Sequence, residues 1–415
     1  MAKIRTGIEI LSWSLYDLAN QFFSLNIISL YFVQWIVLEK GSAEILYSFA
    51  YGISNFFIAV FSPVLGAISD AARRKRIFLV SLTIISVFFT IALGFVTSAF
   101  LGLLFFAAAN FGCSTAVTFY NAQLVDISPK GKIGLISGLG RMFSYLGAIL
   151  ALYLIKPVVA RQGYQAAFLP TGILFLLFAL PDMIFVKDRE GPGGRIDYNL
   201  LFKKEKIIEA LISLKRLLFN NQEAGGFSNF LKAAFFGTFG VNVVMLFMSV
   251  YAARAFNLNE SEVANLIVFS TFFAILGSLV SGYLSDYLGH KRFLGIVFIS
   301  WIACFILGAI SKGVFAYHAV GALVGVTLGS TWVVLRALAV KIAPESKMAE
   351  VFGLFNLAGF LSAILGPLYW GLILLFLKGF GEWGYRVSLL SLALFTALGL
   401  IFLLRIKNSG DLKYE

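Results

Sequence analysis

Apolar residues gather along this chain in long runs, separated by short clusters of glycine, proline and charged residues. A helix that crosses a bilayer needs roughly 20 predominantly apolar residues. Runs of that kind predict twelve helices, at 8–37, 44–72, 77–97, 99–125, 133–158, 166–186, 229–256, 261–288, 291–311, 314–342, 348–377 and 384–405. One long polar stretch, 187–228, leaves a six-helix bundle over 1–186 and another over 229–415. Inside that linker Leu200, Leu201, Ile207, Ile208, Leu211, Leu214 and Leu218 recur near helical spacing, with Lys203, Lys204, Lys206, Lys215 and Arg216 between them. This predicts an amphipathic helix over 199–219 lying on the membrane surface.

Composition agrees with an all-α membrane protein of twelve transmembrane helices. Hydrophobic residues make up 60% of the 415, charged residues only 13%, and the mean hydropathy is +0.89. That excludes a soluble enzyme, a disordered chain and a nucleic-acid module. The net charge of +12 therefore belongs to loops. A cytoplasmic N-terminus places 23 Lys and Arg in inside segments and 7 in outside loops, which sets both termini on the cytoplasmic side of a plasma membrane. The basic start, Lys3 and Arg5, leads into the first span without a small-residue cleavage site, so it is not a signal peptide. Cys113 and Cys304 lie inside apolar runs, and His290 and His318 are far apart; neither pair suggests a disulfide framework or a metal site. No phosphate-binding loop motif occurs, so no nucleotide or other cofactor is expected.

The two halves repeat. Gly66 and Asp70 stand before the basic loop after the second span; Gly282 and Asp286 stand before the basic loop after the eighth, at an offset of 216. Gly134, Gly140 and Gly147 in the fifth span correspond to Gly353, Gly359 and Gly366 in the eleventh, each at an offset of 219. Such repeats place a substrate site near the bilayer midplane, and these glycines are suited to close helix contact.

The pattern G-x-x-x-D-x-x-G-x-[KR]-[KR] is complete in the second half as Gly282, Asp286, Gly289, Lys291 and Arg292. The first half has Gly66, Asp70, Arg74 and Lys75, with Arg73 in place of the later glycine. This resembles the signature loop of the major facilitator superfamily. The resemblance implies that fold, in two six-helix pseudo-repeats. It also implies a gating latch in which Asp70, Arg74, Lys75, Asp286, Lys291 and Arg292 hold one side closed. A carboxylate beside a helix N-terminus and a guanidinium is a contact that rocking can break.

Further strings narrow the resemblance. They are Trp13-Ser-Leu-Tyr16-Asp17-Leu-Ala19-Asn20, Phe119-Tyr120-Asn121-Ala122-Gln123-Leu124, Phe178-Ala-Leu-Pro181, Gly353-Leu-Phe-Asn356 and Ser362-Ala-Ile-Leu-Gly366-Pro367. Together they are similar to the vacuole effluxer-like, autophagy-related branch, from about residue 10 to about 405. Where the branch carries a tyrosine-asparagine-aspartate-glycine string, this chain has Gly237-Thr238-Phe239-Gly240, without the acid and any coupling role tied to it. The branch implies amino acids as the leading substrate class.

Polar residues inside the spans point to the same region. Trp13, Asp17, Asn20 and Ser24 share one face of the first span, and Asn110, Ser114, Thr118 and Asn121 one face of the fourth. The seventh offers Thr238, Asn242 and Ser249, the tenth Trp332 and Arg336. In the superfamily arrangement these four spans line the cavity. Asp17, Asn20, Asn121, Asn242, Trp332, Arg336 and Arg141 are therefore the candidates for binding substrate or a coupling ion, and Asp17 is the one acid placed well inside a span. Single intramembrane Asn and Ser residues also serve as glue between helices, whereas an ionisable group at depth needs a partner or water. Asp17 paired with Arg141 would brace the fold; Asp17 opposite Arg336 would bind the two ends of a zwitterion.

These readings lead to a monomeric secondary transporter for a small polar solute, working by alternating access with protons as the default coupling ion. A flippase for lipids or amphiphiles on the same fold, and an uncoupled facilitator, are the alternatives. An intramembrane enzyme would need clustered catalytic groups, and none is seen in the sequence.

Overall fold

The computed structural model describes residues 2–188 and 226–406. The linker helix expected over 199–219 lies outside the described residues. Among them are twelve helical spans long and apolar enough to cross a membrane: Thr6–Glu39, Leu46–Ala72, Lys75–Leu93, Ala99–Ile127, Ile133–Gln162, Tyr164–Phe185, Phe227–Ala255, Ser261–Leu288, His290–Ile310, Val314–Ile342, Glu345–Phe376 and Glu382–Leu404. They are numbered one to twelve below. Their outward faces are apolar, as lipid demands: Phe88, Val268 and Leu394 are each more than 60% exposed. Span one is less regular than its apolar run suggests. After Ala2–Phe23 the backbone winds into π-helical turns at Ser24–Leu30 and again at Trp35–Glu39, a widened geometry often found beside functional positions.

The chain divides into two compact units, each as far as it is described. The first comprises Met1–Pro129, Leu139–Ile212 and Pro344–Gly353; the second comprises Lys130–Gly138, Ser213–Ala343 and Leu354–Glu415. The first turns of spans five and eleven thus each belong to a different unit from the rest of their helix.

Helix pairing inside the first unit joins span one to six, two to four, three to four and three to six. In the second unit it joins seven to twelve, eight to ten, nine to ten and nine to twelve. Every pair in one unit has its counterpart six spans later in the other. The repeat extends to how helix ends are closed, because the last carbonyls of a helix have no partner of their own. At the start of span six, Gln165 Nε2 donates to the Leu93 and Val96 carbonyls that end span three, at 3.1 and 2.6 Å. At the start of span twelve, Arg386 donates to the Ala309 and Ser311 carbonyls that end span nine, at 2.6 and 2.9 Å, and to Ala255 O at 2.9 Å.

Candidate functional site

A contact repeated inside each unit forms at the ends of spans two and eight. In the first unit Asp70 Oδ2 accepts the backbone N–H of Glu350 at 2.8 Å, in the first turn of the helix Met348–Phe376. In the second unit Asp286 accepts the N–H groups of Gly134 and Leu135 at 2.7 and 2.8 Å, in the first turn of the helix Ile133–Gln162. Helix N-termini present unpaired N–H groups and a partial positive charge. Each carboxylate supplies the missing acceptor.

The motif glycines make these approaches possible. A Cβ on Gly66 would strike the Ala349 carbonyl, and one on Gly353 would sit 2.6 Å from Pro63 Cα. In the second unit a Cβ on Gly282 would lie 2.5 Å from Gly134 O, and one on Gly134 would collide with Ser285. Gly140 and Gly147 press against the Trp13 ring and the Leu18 backbone, and Gly366 against Phe239 O. Gly359 faces open space, so the matched spacing of the glycine triplets overstates their packing role at that one position.

The missing glycine of the first-half motif has a visible consequence. Gly289 has φ 88°, and Arg73, its counterpart, adopts φ 53° although it has a Cβ. Both positions keep a positive φ, but the turns differ: ψ is 41° at Arg73, in the left-handed helical region, and 131° at Gly289.

The lysines of the motif also reach partners other than the aspartates. Lys75 Nζ lies 3.0 Å from Asp126 and donates to Ala122 O at 3.3 Å. Lys291 Nζ donates to Leu404 O and Ile406 O at the end of span twelve. Arg74 and Arg292 are exposed. Asp286 also has His290 Nε2 at 3.8 Å, one turn on.

The polar faces divide between packing and candidate binding. In the first unit Trp13 Nε1 donates to Tyr120 O at 2.8 Å and its ring stacks on Tyr120 at 4.4 Å. One turn on, Asp17 and Asn20 are buried at 7% and 5% exposure, and Asn121 at 5%. The Cys113 thiol donates to Asn20 Oδ1 at 3.7 Å. Asn110 instead binds Ser54 and Asn55 of span two, at 2.7 and 3.3 Å, as helix glue. Arg141 follows Gly140, so it stands one residue from the point where span five rests on Trp13.

In the second unit Asn242 Nδ2 and Thr238 Oγ1 both donate to Ser362 Oγ, each at 3.0 Å. Trp332 is half-buried, and Ser249 is exposed on the flank. Arg336 is buried, and its Nη2 donates to Ser137 O at 2.9 Å. Ser137 Oγ in turn donates to Val333 O at 3.0 Å. Arg336 thus reaches the same helix start that Asp286 caps.

A family model described as Major Facilitator Superfamily matches residues 19–251 and 230–413. The chain belongs to the major facilitator superfamily. A protein of Aquifex aeolicus is 26% identical over 97% of this chain and 98% of its own length. An uncharacterized MFS-type transporter of Bacillus subtilis, YxiO, is 24% identical over 86% of each. Among solved structures, a bacterial homologue of the iron transporter ferroportin in an outward-facing state superposes with a TM-score of 0.73, over 97% of this chain and 98% of that one. At 13% identity it shares the fold. This superfamily chain is therefore a multi-pass membrane transporter.

Sequence reasoning for this superfamily member missed one acid. Asp182, in the last turn of span six, is fully buried. Its signal was present as a lone acid after Pro181 inside an apolar run.

Proposed function

We propose that the chain is a secondary carrier exporting a small polar solute by alternating access, with amino acids as the leading class and protons as the coupling ion. The observation that carries the mechanism is the duplicated helix-end contact: Asp70 on the Glu350 N–H, and Asp286 on those of Gly134 and Leu135. Two charged contacts to backbone can be made and broken without repacking a core, which is what a gating latch requires. The exposed basic residues Arg74 and Arg292, with Lys75 and Lys291 anchored nearby, would keep that side at the anionic cytoplasmic leaflet. The bundles 1–186 and 229–415, joined by the linker 187–228, are the bodies that rock.

Support for the amino-acid class comes from the strings resembling the vacuole effluxer-like branch, to which we assign the chain. Asp17, with Asn20 and Asn121, would supply an acid for an amine, and Arg336, with Trp332 and Asn242, a guanidinium for a carboxylate. Arg141 assists from span five. The protein acts as a monomer in the plasma membrane with both termini cytoplasmic.

Counterflow in proteoliposomes against a panel of amino acids, peptides and organic anions tests this. Exchange of one or more amino acids is the expected result. Exchange of peptides or organic anions alone would replace the substrate class, and lipid translocation without solute exchange would favour the flippase.

A further inference from the structure

Asp182 lies in the last turn of span six, immediately after Pro181 and three residues before the helix ends at Phe185. Its side chain is fully buried, and neither carboxyl oxygen accepts a hydrogen bond of ordinary geometry among the described residues. The Gln123 side chain of span four touches it, and Gln123 Oε1 is likewise without a donor there. From span three, the Arg76 guanidinium acts on it electrostatically, while Arg76 Nε donates to Met183 O at 2.7 Å. From span one, Tyr16 interacts with it electrostatically, with its hydroxyl engaged by Thr83 at 2.5 Å.

An ionised carboxylate needs donors, and a buried one without them is costly by several kcal/mol. A carboxylic acid has a different need, since it must find one acceptor for its own O–H. Between them, Asp182 and Gln123 have three buried oxygens without a donor among the described residues. A proton on Asp182 supplies one donor, once the Gln123 amide turns its oxygen toward the acid. When the proton leaves, Arg76 is the cation placed to compensate the charge, and Arg76 opens span three directly after the basic loop that follows Asp70.

We propose that Asp182 is a proton-binding site of this carrier, separate from the Asp17 face, with Gln123 as the acceptor of its O–H and Arg76 as the counter-charge after release. The proposal rests on the carrier reading for its role in transport. No bond other than O–H is made or broken: the carboxyl takes a proton from one side of the membrane and gives it to water on the other.

Two measurements on the full-length protein in liposomes test it. The first is the infrared carboxylic-acid C=O band at neutral pH. The band should be present in wild type, absent in Asp182→Asn, and displaced in Gln123→Leu. Its absence from the wild-type minus Asp182→Asn difference spectrum overturns the proposal, whether or not a transported solute has been found. The second uses a labelled equimolar mixture of amino acids. Asp182→Asn should lose the accumulation driven by an imposed gradient of one pH unit, about tenfold per proton at equilibrium. Full gradient-driven accumulation in Asp182→Asn would also overturn it. A wild type that exchanges no amino acid at all speaks against the carrier reading for that class, and the infrared band then still decides the proton site.

Discussion

The Asp70 carboxylate holds the Glu350 backbone N–H at 2.8 Å, 280 residues away in sequence. Asp70→Asn keeps an oxygen acceptor of the same shape and removes its charge. Charge-assisted hydrogen bonds are about twice as strong as neutral ones, so the loss should be about 1 kcal/mol. Transport in proteoliposomes should slow by about fivefold while expression stays near normal. A variant that runs at the wild-type rate would remove Asp70 from the gating mechanism.

Gly282 and Gly359 should answer an alanine scan in opposite ways. Gly282→Ala drives a methyl into the Gly134 carbonyl, and backbone cannot swing aside as a flexible side chain can. Overpacking of that kind costs about 1–3 kcal/mol. Gly359 has open space, and alanine there should be neutral or slightly stabilising, by up to about 1 kcal/mol. Thermal unfolding in detergent checks both. Equal midpoints for the two variants would contradict the close crossing at Gly282.

Arg73 sits in the left-handed region at φ 53°, where its second-half counterpart is a glycine. A side chain in that conformation costs roughly 1–2 kcal/mol. Arg73→Gly should therefore raise the unfolding midpoint, in spite of the charge it removes from an exposed loop position. A lowered midpoint would show that the Arg73 side chain contributes more than its backbone strain costs.

Asp17 and Arg336 are the two charged members of the proposed binding faces. In folded protein, Asp17→Asn and Arg336→Gln should each weaken substrate binding, by about 2 kcal/mol if a buried charged hydrogen bond to the solute is lost. Unchanged affinity in both variants would leave Arg336 as a brace on Ser137.

Asp188, just beyond span six, titrates in a half-buried setting. Burial pushes its carboxyl above the ordinary carboxylate range, while the Arg76 N–H at 3.0 Å and the Lys75 charge pull the other way. A carboxyl raised in the fold contributes stability that is present below its unfolded value of about 3.9 and is lost as pH rises through the folded value. Between acid and neutral pH, Asp188→Asn should therefore lose less stability than wild type. Parallel midpoint curves for the two proteins would show that this group does not set the slope.

How much of this was legible in the sequence can be judged position by position. The twelve spans fall within a few residues of their apolar runs, because a helix in lipid must satisfy every backbone group internally and must be apolar for about 20 residues. Those are local requirements. The motif aspartates and their glycines were legible for a related reason: the repeat marks them twice, 216 residues apart.

Their partners were not legible. That Asp70 meets a backbone N–H of Glu350, and that Lys75 turns to Asp126 and Ala122, depends on which helix start arrives beside which loop. Backbone N–H groups carry no sequence signature at all. Asn110 stands on the polar face of the fourth span on a helical wheel, yet it donates to Ser54 of the neighbouring second span. The wheel gives the direction of a side chain and not what stands in that direction. Asp182 shows the same limit in reverse. Its sequence neighbours, Pro181 and Met183, mark only the fading end of an apolar run. Its full burial comes from spans one and three closing over span six. The sequence by itself determined the number and place of the membrane-crossing helices, because the cost of an unpaired backbone in lipid is set residue by residue. Only the tertiary structure decided which polar group meets which, because a hydrogen bond depends on an approach to within about 3 Å that no single helix can specify.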